Sequence, residues 1–434
     1  MHNINVGLIG CGTIGQGVID VFTKNKSILR SRSHIEINLH SICDVNTKVL
    51  ESRKGDFKHT TNYQDIICNP KIDIVIELVG GTTIAYKIVK EAIDNRKNVV
   101  TANKALLAKY WKELFSLASK NDVDIFFEGS VAGGIPIIKT LREGLVCNRI
   151  TCIMGILNGT CNYILTRMEE DKLEFKECLK IAQELGYAEA DPTFDIEGFD
   201  TAHKIYILAH LAYPVSASFS KVHIEGITRI TPLDLTMAHE LGYKIKLLAI
   251  SERGAGEIGL VVHPTMIRRA SVLASINGVE NAVIVEGDFV NRIMLTGPGA
   301  GRRPTASAVL SDVVDVAGRI VSGKPGLSSD RIISNLKTAN LSIKKPINNQ
   351  SKFYLRFTTI DKPGVLSKIT GMLGKYGISI EACLQKGEHK ASEVPIIMLT
   401  HPSIENNLLK ALNKIDRLSV VRKKTFFLRV NEHI

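Results

Sequence analysis

The 434-residue sequence predicts an α/β protein in three parts: a doubly wound parallel sheet, a mixed α/β section, and a small ferredoxin-like module. Three observations carry that expectation. The first part alternates short β-branched runs with amphipathic stretches, the cadence of parallel βαβ units. A glycine-rich GCGTIG follows the first of those runs and opens the first amphipathic stretch. From residue 350 onward the pattern reads strand, helix, strand, strand, helix, strand, which is the ferredoxin-like order.

Taken in order, INVGLIG (4–10), EINLHSICD (36–44), IDIVIELVG (72–80), NVVTAN (98–103) and DIFFEGSV (124–131) read as strands of one sheet. Open parallel sheets bind ligands beyond the carboxyl ends of their strands. The segments that follow those strands, GCGTIG, LVGGTT, TANK and EGSVAGG, are therefore the places to look for chemistry. In the middle section FKECLKIAQELGY (175–187) and FDTAHKIYILAHLAY (199–213) have helical periodicity. ITCIMGIL, KIKLLAISE, EIGLVVHPTM, NAVIVEG and FVNRIMLTGPG read as strands of a second, separate sheet. The loop GPGAGRRPT (297–305) leads into a strongly periodic helix over about 300–323 that returns to the first part. The expected division is thus 1–134 plus that helix, 135–299, a linker over 324–349, and a module over 350–434; residues 338–352 are polar and without periodicity.

Composition excludes several classes. Hydrophobic content of 44% with 23% charged residues is ordinary for a folded chain. The net charge of +11 comes from scattered basic residues, and only 6% of residues are aromatic, so neither a stacking platform nor a nucleic-acid partner is expected. No run is apolar enough to span a bilayer, and the opening residues run straight into a strand without a signal-like core, so a cytoplasmic location and no membrane partner are expected. The eight cysteines show no CxxC pair or Cys/His ligand spacing, which points to free thiols in a reducing compartment.

Two constellations carry the chemistry. In the first, Gly10, Gly12 and Gly15 frame a dinucleotide loop, with Thr13 and Ile14 between them. Gly10 makes the tight turn, Gly12 admits the pyrophosphate, and Gly15 lets strand and helix pack closely. This is the Rossmann arrangement. Asp44, at the end of the second strand, would accept from a ribose 2′-hydroxyl and favour NAD; Lys48, Arg53 and Lys54 just downstream would attract the 2′-phosphate of NADP. The choice stays open. In the second, GYAEADPTFDIEGFDTAHK (186–204) holds five carboxylates and one lysine. Asp200 and Lys204 are four apart in a helix and share a face. A plain surface ion pair is the alternative, but the helix is otherwise apolar and the acids gather in the loop leading into it.

At this point a family resemblance is clear. VVTANKALLA (99–108), FEGSVAGGIPIIKTLREGL (127–145), GILNGTCNYILTRM (155–168), LGYAEADPTFDIEGFDTAHK (185–204) and GPGAGRRPTASAVLSD (297–312) resemble homoserine dehydrogenase segments, in the family's order. The residues after 350, including DKPGVLSKITGMLGKYGISIEA, are similar to an ACT regulatory domain, as on the bacterial monofunctional form. The resemblance implies reversible NAD(P)H-dependent reduction of aspartate 4-semialdehyde to homoserine. It makes Lys204 the general acid/base, with Lys104 as the competing candidate beside nicotinamide and substrate. A free lysine titrates near about 10.4, so a neutral amine calls for desolvation or a nearby positive charge. Asp200, Glu189 and Asp195 would bind the substrate's amino group or hydroxyl, with Gly159, Thr160 and Tyr187 around them. Gly81, Thr82, Gly186, Glu189 and Gly301 would join the cofactor contacts. Glu128, Val131, Gly133 and Ile135 match a sodium loop, one carboxylate with backbone carbonyls. Asp361, Pro363, Gly364 and Val365 form the turn where ACT domains bind amino acids; threonine is the expected effector. A homodimer or homotetramer is implied. Cys43 stands where many family members carry an arginine that pairs the 2′-phosphate, so the usual NADP preference does not carry over by resemblance. Two rivals remain: another amino-acid dehydrogenase, such as an aspartate dehydrogenase, would lack NGTCNYIL and ADPTFD, and an inactive sensing protein would not be expected to keep Lys104, Glu189, Asp200 and Lys204.

Overall fold

In a computed structural model the described residues are 2–215, 218–324, 326, 329, 332, 341–344, 350–385 and 393–432. Six strands form the first sheet: β1 (Asn3–Ile9), β2 (Glu36–Cys43), β3 (Lys58–Thr60), β4 (Ile74–Glu77), β5 (Asn98–Thr101) and β6 (Ile125–Phe126). All pair in parallel, in the order β3-β2-β1-β4-β5-β6. Val6, Leu8, Ile42, Ile74, Ile76 and Val100 have no exposed surface, because helices cover both faces. The strand order reverses between β1 and β4, and Ile9 lies opposite both Cys43 and Glu77. Three loops therefore leave the sheet side by side at the switch point, where a dinucleotide binds in such folds. Sequence periodicity had no purchase on the short edge strand β3.

The second sheet has β7 (Ile150–Ile156), β8 (His223–Ile224), β9 (Tyr243–Arg253), β10 (Glu257–Arg268), β11 (Glu280–Gly287) and β12 (Asn291–Pro298). It continues with β13 (Ser342–Lys344), β14 (Gln350–Thr359), β15 (Ile380–Gln385), β16 (Val394–Thr400), β17 (Ser403–Ile404) and β18 (Val421–Asn431). The path runs β12-β11-β7-β9-β10-β18-β14-β16-β15, with the three short strands off it. The last six residue ranges include the whole C-terminal sheet, covered by the helices Val365–Lys375 and Glu405–Ile415. That module does not stand apart: β18 pairs in parallel with β10, placing Arg429 beside Thr265 and Val430 beside Met266.

The polar stretch 338–352 read as linker is corrected in part. Ser342–Lys344 adds a parallel strand to β10, and Gln350 already begins β14. Strand pairing there depends on a partner some 85 positions upstream, so local composition did not reveal it. Most of the expected linker 324–349 otherwise lies outside the described residues.

Two helices join the first part to the second. Arg302–Val321 returns to pack on Thr13–Lys24, so closely that a Cβ at Gly17 would fall 2.6 Å from the Arg302 carbonyl. Phe199–Ala212 is buried nearly all round and touches β7, β9 and β10 on one side and the helix Lys104–Lys120 on the other. A helix buried in this way cannot expose its charged residues to water, and Asp200 and Lys204 lie in its first turns.

Candidate active site

The glycine loop has the shape a dinucleotide needs. Gly10 has φ +96°, and a Cβ there would sit 2.6 Å from the Leu78 carbonyl. At Gly15 a Cβ would fall 2.1 Å from the Gly10 oxygen. Gly12, by contrast, faces open space. The room left by its missing side chain lies over the start of the helix Thr13–Lys24, which has neither a side-chain cap nor an acid in its first turn. Free N–H groups and the helix dipole there suit a pyrophosphate. Asp44 ties the loop down: its carboxylate accepts from Cys11 N (2.8 Å) and Asn46 N (2.9 Å).

The next two loops are pinned by a residue that sequence reasoning passed over. Glu77, fully buried at the end of β4, accepts from Val79 N (2.8 Å) and from Thr101 Oγ1 (2.7 Å). Burial pushes its carboxyl up, and these hydrogen bonds offset part of that. Asn103 completes the link, donating to the Gly81 carbonyl (2.7 Å) and accepting from Leu106 N (3.0 Å) to cap the helix Lys104–Lys120. LVGGTT, with Gly81 and Thr82, is thereby fixed to TANK. A lone acid ending the apolar run IVIE was the available signal.

Beyond TANK, two lysines meet on one carboxylate. Lys204 Nζ lies 2.7 Å from Asp200 Oδ2 and donates to the Leu157 carbonyl at 2.6 Å. Lys104 Nζ lies 3.0 Å from Asp200 Oδ1. Asn158 Nδ2 donates to both Asp200 (2.8 Å) and Asp195 (2.8 Å), while its Oδ1 caps Cys161 N. Burial alone would raise the Asp200 carboxyl; the Lys204 and Lys104 ammonium groups hold it well below the ordinary aspartate value. Asp195 moves the other way, raised by burial and by the charge of Asp200. Lys104 is raised, chiefly by Asp200 and against the pull of burial. Lys104 and Asp200 come from different parts of the chain, so this ion pair crosses the seam between the two sheets.

The other expected residues lie around this centre. Thr160 Oγ1 donates to the Tyr187 carbonyl (2.6 Å), and the Tyr187 ring packs on Tyr163. Gly159 begins its helix so close to Val279 that a Cβ would reach the Val279 oxygen at 2.6 Å. Glu189 is exposed, yet its charge bears on Lys104. Gly186 (φ +75°) turns the chain ahead of it, and Gly301 (φ +124°) starts the returning helix. Glu128 is buried, and its two oxygens accept from Ile138 N (2.9 Å) and Lys139 N (2.7 Å). Burial pushes its carboxyl up to about 7. The loop that follows, with Val131, Gly133 and Ile135, packs on the returning helix: a Cβ at Gly133 would lie 2.6 Å from Thr305 Oγ1. No cluster of three metal-ligating side chains occurs among the described residues. All eight cysteines are free. Among the described residues no helix is long and apolar enough to cross a membrane.

A dinucleotide crevice whose neighbouring loops lead to lysines on a buried carboxylate defines an NAD(P)-dependent oxidoreductase. Comparisons make this particular. The NAD-binding domain profile of homoserine dehydrogenase matches residues 10–128, the homoserine dehydrogenase profile 136–314, and an ACT domain profile 353–417. The homoserine dehydrogenase of Neisseria gonorrhoeae is 41% identical over 99% of both chains, and that of Pseudomonas aeruginosa 40% over the whole of both. The crystal structure of a homoserine dehydrogenase from Thiobacillus denitrificans superposes with a TM-score of 0.92 at 42% identity, covering 100% of this chain and 99% of that one. A hyperthermophilic archaeal homoserine dehydrogenase solved in complex with NADPH matches 72% of this chain and 97% of its own, at TM-score 0.61 and 28% identity. The chain belongs to the homoserine dehydrogenase family.

Proposed function

We propose that Lys204 is the general acid/base in the interconversion of aspartate 4-semialdehyde and homoserine, held in place by Asp200. The observation that supports this is the pair of ammonium groups on opposite oxygens of one buried carboxylate. The nicotinamide, when bound beyond Gly12, supplies or takes the hydride at the reacting carbon. Lys204 donates a proton to the aldehyde oxygen in reduction and takes the hydroxyl proton in oxidation. Asp200 remains ionised throughout and fixes both lysines. Glu189 and Asp195, with Thr160 and Tyr187 beside them, receive the substrate's ammonium group. Asn158 orients Asp195 and Asp200 and so acts as a positioning residue.

One observation favours a second reading, with Lys104 as the proton carrier. A third of the Lys104 side chain is exposed, whereas Lys204 is nearly covered and anchored on Leu157. The pH profile separates the roles. Asp200 holds Lys104 above the ordinary lysine value of about 10.4, so its ammonium form persists through neutral pH. If Lys104 is the base, homoserine oxidation climbs with pH without levelling off below that value. Asp200→Asn removes the charge that raises Lys104, so the rise is expected to move to lower pH while kcat falls. A rise at unchanged pH in the variant would detach Lys104 from the proton step.

The same reading extends to two ligands. Burial makes a charge on Glu128 costly, and a sodium ion shared with the carbonyls of Val131, Gly133 and Ile135 would offset that cost. The turn Asp361, Pro363, Gly364 and Val365, with Gly364 at φ +85°, opens a helix as an effector site for threonine would require. Activity of the full chain is expected to rise as sodium replaces choline in the buffer and to fall with added threonine, with Asp361→Ala blunting the threonine response. Flat titrations would remove the two ligands. Cutting the chain at residue 350 is a poor substitute, because it strips β18 from β10.

A further inference from the structure

The glycine loop and Asp44 leave open which dinucleotide the crevice takes; the residues around Asp44 decide it. We infer that Arg53 reads the ribose 2′-phosphate, and that the crevice is therefore selective for the phosphorylated dinucleotide. This deepens the dinucleotide reading and rests on it.

Three observations converge. First, Asp44 is committed. A carboxylate that selects the unphosphorylated cofactor accepts from the ribose hydroxyls. Here its two oxygens instead hold the amides of Cys11 and Asn46, so it serves as the tether between β2 and the glycine loop. Second, the strand end offers no cation of its own. Cys43 is 3% exposed and packs into the core with Ile66 and Ile67. Third, Arg53 is a cation without an anion. It follows the short helix Thr47–Glu51 that leaves Asn46, and its charge is felt at the Cys11 thiol, inside the glycine loop. Its Nε is buried and has no hydrogen-bond partner. No carboxylate among the described residues lies within ion-pair distance of it, although Asp44, Glu51 and Asp56 belong to the same stretch of chain.

A buried N–H without an acceptor is a standing cost that a bound anion would relieve. A guanidinium gains more than a point charge from a phosphate, because its donors can engage two oxygens at once. Lys48 and Lys54, both exposed and without an ion pair among the described residues, flank Arg53 and add to the local positive potential. That potential offsets the repulsion Asp44 would exert on a dianion. An NAD-type ribose would use none of these groups.

The test is binding of two adenosine fragments to the full-length protein by calorimetry, with no turnover involved: 5′-AMP and adenosine 2′,5′-bisphosphate. The parent is expected to bind the bisphosphate roughly 10- to 100-fold more tightly than 5′-AMP, the scale of charge-assisted hydrogen bonds. Arg53→Gln is expected to erase most of that difference and leave 5′-AMP binding unchanged, with Arg53→Lys between the two. Equal binding of both fragments by the parent, or a full preference retained by Arg53→Gln, overturns the role of Arg53 alone. Failure of the parent to bind either fragment overturns the adenosine site itself, and this inference with it.

Discussion

Lys204→Ala is expected to lower kcat by roughly 10²–10⁴-fold, the usual cost of losing a positioned acid/base. The loss should fall on turnover rather than on cofactor binding, since Lys204 sits across the seam from the glycine loop. Packing makes the variant interpretable. Asp200 keeps two partners when Lys204 is truncated, Lys104 at 3.0 Å and Asn158 at 2.8 Å, so the carboxylate is not abandoned in the interior. Matching the thermal midpoint of the variant to that of the parent checks that the fold persists. Steady-state assay of both reaction directions then reads the chemistry. Near-normal turnover in Lys204→Ala, with collapse in Lys104→Ala, would transfer the proton step to Lys104.

The largest effect on stability is expected far from the site. Arg429, 6% exposed on β18, donates Nε to Glu405 at 2.8 Å and Nη2 to Glu405 and Glu225 at 2.6 and 2.9 Å. Glu405 is 2% exposed, so it has no water to fall back on. Arg429→Leu leaves a buried carboxylate unpaired at the join between the two halves of the second sheet. Removing one partner of such a pair costs about 3–5 kcal/mol. Urea unfolding should show a lower midpoint, with the C-terminal module released first. An unchanged midpoint would mean that the β10–β18 pairing carries the join without this ion-pair cluster. The double change Arg429→Leu with Glu405→Leu should recover much of the loss, because no charge is then stranded.

How much of the protein could be read from its residues varied with distance along the chain. Glycine at 10, 12 and 15 after a β-branched run is a local pattern, and the turn it implies is the turn observed. Asp200 and Lys204, one helical turn apart, were bound to share a face once the helix existed. Asn158 shows where this reasoning thins. An asparagine before a helix reads as an N-cap, and its Oδ1 does cap Cys161 N. That its other end reaches two carboxylates in a distant loop has no local signature.

By itself, then, the sequence determined the parallel sheet, its nucleotide turn, the acid–lysine helix and the strand–helix order of the C-terminal module. Each depends on backbone preferences and side-chain spacing among residues within about a turn or a strand of one another. Tertiary structure alone decided that Lys104 meets Asp200, that Glu77 clamps two loops, that Arg53 stands over the glycine loop, and that β18 completes the middle sheet. Those outcomes depend on which buried surfaces find each other and on what a charge does once water has been excluded, and neither is encoded in neighbouring residues.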